Sequence, residues 1–218
     1  MRDVNRRPRV LIADDHTLIA EAFHQLLVQE FDVVAIVHDG RRLMEAAQEL
    51  RPDVILVDIG MPLLNGLQAA GSIKRLLPNV KLVYVTVNDD AELVAEAFRR
   101  GASAYLPKTS AGSELVTAIH AVLDGGTYVS SLLPTAVAHS GEVAVDDRVE
   151  TTRPDLTDRQ LEVLQLLAEG KSMKEAASVL NLTTRTVAFH KYRLMQNLQL
   201  KNDAEVVQYA LRRHIIFE

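Results

Sequence analysis

The stretch PDVILVDIGMP, residues 52–62, runs four apolar residues from Val54 to Val57 and then stops on a carboxylate, Asp58. A short, continuously apolar run bounded by turn-forming residues reads as a strand buried on both faces. Four similar runs accompany it, at Val10–Ala13, Val33–Val37, Leu82–Val85 and Ala104–Leu106. Between and after the strands lie amphipathic segments near 16–29, 41–50, 66–77, 90–100 and 112–123. Parallel strands need crossover connections, so this alternation predicts an α/β domain with a doubly wound, five-stranded parallel sheet covered by helices on both faces. The domain spans residues 1–125.

The rest of the chain follows a different pattern. Residues 134–154, PTAVAHSGEVAVDDRVETTRP, are small and acidic with no sustained period, and residues 126–153 are assigned to a linker. Beyond it, Thr157 is placed to cap a helix carrying Leu161, Leu164 and Leu167 and ending at Gly170. A short helix at 173–180 closes on Asn181-Leu182-Thr183, a third covers Thr184–Leu198, and a fourth covers Asp203–Arg213. Residues 154–218 are thus expected to form a small all-α domain.

Composition bounds what such a chain does. With 48% hydrophobic residues in 218, it buries enough surface for two domains. It has no cysteine, which excludes disulfides and thiolate metal sites and suits a reducing compartment. No apolar run reaches the roughly 18 residues of a membrane span, and the basic N-terminus MRDVNRRPRVLIADD lacks the apolar core of a secretory signal. A cytoplasmic location is expected. The net charge is −5, yet Asn181–Lys201 carries Arg185, Lys191, Arg193 and Lys201 without one acid, so a polyanionic partner is expected at that end.

In a doubly wound sheet, ligands bind outside the carboxyl ends of the strands. Asp14 and Asp15 follow the first strand, Asp58 the third, Thr86 ends the fourth, and Lys108 follows the fifth. Three carboxylates crowded at one rim repel, so they must take up protons or share a cation. Hard oxygen donors suit Mg²⁺, an Asp carboxylate can attack phosphorus, and an ammonium and a hydroxyl can balance charge on phosphoryl oxygens. Phosphoryl transfer to Asp58 is the chemistry this set supports.

The motifs LIADDH (11–16), LVDIGMPLLNG (56–66), VYVTVNDD (83–90) and AYLPKT (104–109) resemble those of the receiver domains of two-component response regulators, over residues 8–125. The resemblance implies that Asp58 is the phospho-acceptor and Lys108 pairs with the phosphoryl group. It further implies that Asp14, Asp15, Asp58 and the Gly60 carbonyl hold Mg²⁺, and that Thr86 and Tyr105 are the switch pair. Val87 follows Thr86 where many receivers keep a smaller residue, which would restrict access of water to the phosphate.

Residues 153–218 resemble the helix-turn-helix of the LuxR/NarL (NarL/FixJ) regulators, on the segment LTDRQLEVLQLLAEGKSMKEAASVLNLTTRTVAFHKYRLMQNLQL. On a helical wheel Val187, Leu194 and Leu198 form one stripe, while Arg185, Phe189, Tyr192, Arg193 and Gln196 face away. Two aromatics and two arginines on one exposed face suit a DNA groove, with an aromatic protein interface as the competing use. The resemblance implies DNA contacts from Lys174, Thr184, Arg185, Thr186, Ala188, Phe189, His190, Lys191, Tyr192 and Arg193. Many relatives carry Lys where this chain has Ala188; Ala188 and Phe189 suit a thymine methyl, and Lys191 and Arg193 suit phosphates.

Two other signals fail on spacing. Gly170-Lys171-Ser172 ends like a phosphate-binding loop, but Gln165 stands where that loop needs Gly, and the seven His show no HExxH spacing. A phosphatase of the haloacid-dehalogenase type wants Asp-x-Asp, and Gly60 stands in place of the second acid. The remaining rival is a regulator whose receiver only dimerises. The expectation is a response regulator, phosphorylated by a histidine kinase, that binds double-stranded DNA as a homodimer and is no enzyme beyond turnover of its own phosphate.

Overall fold

The computed structural model describes residues 6–133 and 156–216. The chain divides into two compact units, Met1–Val145 and Asp146–Glu218. The segment read as a linker, 134–154, lies outside the described residues.

In the first unit the strands are β1 (Arg9–Ala13), β2 (Asp32–Val37), β3 (Val54–Val57), β4 (Lys81–Thr86), β5 (Ala104–Pro107) and β6 (Tyr128–Val129). Their order is β2-β1-β3-β4-β5-β6, with every pairing parallel. The helices are α1 (Thr17–Leu27), α2 (Gly40–Leu50), α3 (Gly66–Leu76), α4 (Ala91–Arg99) and α5 (Lys108–Leu123). Side chains alternate across the pleat, so both faces of the sheet are apolar. Val10, Ile12, Leu56, Val83, Val85 and Leu106 pack under Phe23 and Leu27 of α1 and Leu115, Ile119 and Val122 of α5. Leu11, Ile55, Val57, Leu82, Tyr84 and Tyr105 are equally buried on the opposite face.

Two features differ from the sequence reading. The sheet has six strands rather than five, because Tyr128–Val129, placed in the linker, pairs alongside β5. Two residues are too few to show a period. Helix α5 starts at Lys108, four residues before the amphipathic pattern begins. Its first turn is Lys108-Thr109-Ser110-Ala111, whose Thr and Ser mask a helical period, and the Ser110 and Ser113 hydroxyls donate to the carbonyls of Pro107 and Ser110.

The second unit contains α6 (Asp158–Ala168), α7 (Met173–Leu180), α8 (Thr184–Asn197) and α9 (Asp203–Arg212). Caps set its boundaries. Thr157 with Gln160, and Ser172 with Glu175, form capping boxes that satisfy the free N–H groups of α6 and α7. Asn181 ends α7 at φ 54°, a left-handed conformation Asn tolerates, and Leu182 N–H donates to Ala177. Thr183 then caps α8 through Thr186 N–H. A three-residue turn therefore joins α7 to α8, as in a helix-turn-helix. Val163, Leu164, Leu166, Ala176, Leu180, Val187, Leu194, Val206 and Ala210 form the core. Leu161 and Leu167, expected to share a stripe with Leu164, are only half-buried. Helix α6 meets α7, α8 and α9 together, so it buries more than one face.

Candidate phosphoryl-acceptor site and nucleic-acid interface

Strand register brings the candidate residues of the first unit to one rim. Ala13 lies opposite Val57, so Asp14 and Asp58 emerge side by side, tied by Asp58 N–H to the Ala13 carbonyl at 2.9 Å. Thr86 lies opposite Pro107, so Lys108 emerges beside Thr86. The loop after Asp58 folds back tightly: Gly66 N–H bonds the Ile59 carbonyl, and a Cβ at Gly66 would sit 1.8 Å from the Asp58 carbonyl oxygen. Only Gly fits there, and that close approach holds the end of β3 in place.

The charges form a compact network. Lys108 Nζ lies 2.7 Å from Asp58 Oδ2 and 2.8 Å from Asp14 Oδ2, with all three side chains at most 7% exposed. Burial, the largest single influence, lowers the Lys108 pKa, but its hydrogen bonds and attraction to both carboxylates raise it overall above the ordinary value. The cation that the crowded carboxylates demand is thus already present between two of them. The third, Asp15, is partly exposed and 2.9 Å from the His16 ring, which also stands 3.3 Å from Asp14 Oδ1. Asp58 Oδ1 accepts a long bond from Gly60 N–H, 3.4 Å.

Ligand atoms of Asp14, Asp15, His16 and Asp58 all lie within 4.8 Å of one another, a spacing that a single metal ion can span. Asp15 Oδ1 is buried, and its 2.9 Å neighbour, the His16 ring, is an ion-pair contact that makes no hydrogen bond to it. The donor set, mostly carboxylate oxygen, fits a hard cation such as Mg²⁺. His16 was not singled out from sequence, although it follows the acid pair directly in LIADDH.

The pair Thr86 and Tyr105 is linked through one residue. Asn88 N–H points to Thr86 Oγ1 at 3.4 Å, and the Tyr105 hydroxyl donates to the Asn88 carbonyl at 2.8 Å. Tyr105 is fully buried, stacked at 6.2 Å on Tyr84. Burial, with Tyr84, Asp58, Asp89 and Asp90 nearby, pushes the Tyr105 pKa far up, so the hydroxyl stays a neutral donor. Val87 is 80% exposed.

In the second unit, Val187 and Leu194 of α8 are buried and Leu198 is half-buried, while Arg185, Phe189, Tyr192 and Arg193 are exposed together. Arg193 lies over the Phe189 ring, 5.9 Å from its centroid, a cation–π contact across one helical turn. Thr184 is exposed at the start of α8, Lys174 is exposed on α7, and Thr186 and Ala188 are half-buried. Lys191 is engaged elsewhere: its ammonium bonds Asp203 at the start of α9 at 2.6 Å and its side chain is only 12% exposed. His190 is half-buried; burial first, and Arg159 second, lower its pKa below the ordinary 6.5.

Comparison with known proteins follows this division. Residues 10–120 match the family described as response regulator receiver domain, and residues 154–210 match bacterial regulatory proteins, luxR family. The oxygen regulatory protein NreC of Staphylococcus haemolyticus is 33% identical over 218 residues, covering 95% of this chain and 99% of that protein. NreC of Staphylococcus aureus is 35% identical over 214 residues, with the same coverage. Among solved structures, a LuxR-family response regulator from Aurantimonas sp. SI85-9A1 shares 27% identity at a TM-score of 0.58, covering 62% of this chain and 97% of its own. A structure of two RcsB dimers bound to two parallel DNAs shares 25% identity at a TM-score of 0.55, covering 94% and 98%. The fold order, the acidic rim, the helix-turn-helix and these likenesses agree: the chain belongs to the two-component response regulators of the LuxR/NarL class, a receiver domain followed by a LuxR-type DNA-binding domain.

Proposed function

We propose that this response regulator accepts a phosphoryl group on Asp58 from a sensor histidine kinase and, as a homodimer, binds double-stranded DNA to regulate transcription in the cytoplasm. The observation that carries the reading is the Asp58 carboxylate, 5% exposed, held by Lys108 at 2.7 Å beside Asp14 and Asp15. In the transfer, an Asp58 oxygen forms the new O–P bond as the P–N bond of the donor phosphohistidine breaks, and the imidazole leaves with the electron pair. Lys108 then turns from carboxylate to phosphoryl oxygen, and the Thr86 hydroxyl, whose hydrogen is not used by its contact with Asn88, donates to another. Asp14, Asp15, Asp58 and the Gly60 carbonyl would hold Mg²⁺, which when bound supplies charge neutralisation of phosphate oxygens. Tyr105 acts behind Thr86 by holding Asn88 through its hydroxyl. The protein needs no other catalytic activity than formation and loss of its own acyl phosphate.

On the DNA side, α8 presents Arg185, Phe189, Tyr192 and Arg193 on one exposed face, and no helix of the described residues is long and apolar enough to cross a membrane. A small helical unit offers little surface for tight binding alone, and pairing two copies on adjacent half-sites raises the effective concentration of the second. The RcsB dimers on DNA, at 25% identity, support that arrangement. The test is labelling by acetyl phosphate with Mg²⁺: wild type takes up acid-stable, base-labile phosphate and Asp58→Asn does not. Equal label on Asp58→Asn would move the acceptor elsewhere.

A further inference from the structure

Strand β6 runs parallel to β5, towards the phosphoryl rim, and with the residues after it forms a strap that ends at the last described residue of the first unit. Tyr128 N–H donates to the Ser103 carbonyl and Ser130 N–H to the Tyr105 carbonyl, at 3.0 and 3.1 Å. The backbone of the switch residue is therefore bonded directly to residue 130. Ser130 is fully buried and Leu133 4% exposed, while Leu132 between them is 63% exposed, so the segment is anchored at two points.

The hydroxyls add a directional chain. Ser110 Oγ donates to the Pro107 carbonyl at 3.2 Å, which uses its only hydrogen. Leu132 N–H donates to Ser130 Oγ at 3.3 Å. The 3.2 Å contact between the two hydroxyls must then run from Ser130 to Ser110. Leu132 N–H, Ser130, Ser110 and Pro107 thus form one ordered series of hydrogen bonds, and Pro107 is the residue before Lys108 and the register partner of Thr86. Series of this kind polarise one another and are sensitive to loss of a middle member.

Resting on the phosphorylation reading above, we propose that the β6 strap, locked by the Ser110–Ser130 hydroxyl pair, carries the state of the phosphoryl site to the start of residues 134–155. Ser110 and Ser130 are positioning residues: they touch no phosphate, and they fix the β5–α5 corner that carries Tyr105 and Lys108. When Lys108 and Tyr105 take up the phosphoryl-bound arrangement, the corner shifts against the strap, and the bonds to Ser130 transmit the shift. The second domain then receives it through the chain that follows.

The experiment uses full-length protein as wild type, Ser130→Ala and Ser130→Thr. It measures acetyl-phosphate labelling, DNA titration with and without the phosphodonor, and hydrogen exchange at residues 128–132. Ser130→Ala is expected to label as wild type and keep wild-type basal DNA affinity, while phosphodonor stimulation falls from about tenfold to about twofold or less, within the usual range of coupling between sites. Ser130→Thr is expected to recover stimulation, because it keeps the hydroxyl. A purely steric role ranks the two the other way, since Thr adds a methyl group at a fully buried position. In wild type the phosphodonor is expected to change exchange at the amides of residues 128, 130 and 132. Full stimulation in an equally labelled Ser130→Ala, a Thr variant worse than the Ala variant, or unchanged exchange in labelled wild type would each overturn the strap. Wild-type protein that takes no label would instead overturn the phosphorylation reading, and the strap with it.

Discussion

Removing the Lys108 ammonium should cost stability first and signalling second, and the two losses separate by metal. Lys108→Ala leaves Asp14 and Asp58, whose side chains are 2% and 5% exposed, facing each other without their shared counter-ion. Breaking a buried ion pair by deleting one partner typically costs about 3–5 kcal/mol, and the lower figure suits a rim that water can enter. For a domain of this size about 3 kcal/mol corresponds to a fall in Tm of roughly 10 °C. Mg²⁺ can take the place of the lost charge, so the gap to wild type should be widest in EDTA and narrow in excess Mg²⁺. The raised Lys108 pKa gives a stabilisation that is complete below the ordinary 10.5 and fades only as pH rises through the higher folded value, so the gap should not change across neutral pH on the lysine's account. The assay is thermal unfolding of full-length wild type, Lys108→Ala and Lys108→Met, the last retaining most of the aliphatic stem. DNA binding with phosphodonor should stay unresponsive in both variants even where Mg²⁺ has restored the melt. A Lys108→Ala protein that melts with wild type in EDTA, or a gap that Mg²⁺ leaves unchanged, would refute the counter-ion argument.

The second unit yields three further tests. Thr157→Ala removes the side-chain half of the capping box at the start of α6, leaving the Gln160 side chain on the residue-157 backbone N–H, and should lower stability by about 1 kcal/mol, read from chemical denaturation of the DNA-binding unit's transition. Because the His190 pKa is lowered, the ring is neutral at neutral pH, so His190→Gln should leave the salt dependence of DNA binding unchanged at pH 7.5. As pH falls below 6.5 the unfolded chain protonates first, and wild type should lose stability there that His190→Gln keeps. Asp203→Asn frees Lys191 from its 2.6 Å partner and should steepen the plot of log affinity against log salt by about one unit on non-specific DNA; an unchanged slope would show that Lys191 reaches no phosphate even when released.

The α/β order, the rim residues and the exposed face of α8 were legible because each rests on a local signal: an apolar run, a polar residue ending it, or a 3.6-residue period. What escaped has a different origin. Strand β6 depends on Gly125, at φ 94°, turning the chain back beside β5, and two residues carry no period of their own. The first turn of α5 is held by serine hydroxyls bonding back to carbonyls, where propensity alone favours a loop. The burial of Gln160, Glu162 and Gln165 on α6 could not be read from a hydrophobic stripe, because three neighbouring helices close over more than one face. His16 adjoins the acids in sequence, but its ring contacts with both carboxylates are a matter of side-chain geometry. The tie between Lys191 and Asp203 spans two helices, and only tertiary packing could reveal it.

Both candidate sites share a property that composition hides. At the receiver rim the Lys108 ammonium is already bonded to Asp14 and Asp58, and on α8 the Lys191 ammonium is already bonded to Asp203. In each case an incoming anion must exchange with a carboxylate before it gains the full attraction of the lysine. Exchange lowers raw affinity for any stray anion, because the desolvation and the ion pair given up offset much of the new contact. It favours a ligand that brings its own compensation. At the rim, on the phosphorylation proposed above, that compensation would be a metal ion held by Asp14, Asp15 and Asp58, which would leave Asp58 available despite the Lys108 ammonium beside it. On α8, under the DNA-binding proposal, Arg185 and Arg193, for which no ion pair with a carboxylate is found among the described residues, are expected to make first contact with the polyanion, and Lys191 to follow only where the phosphate geometry outcompetes Asp203.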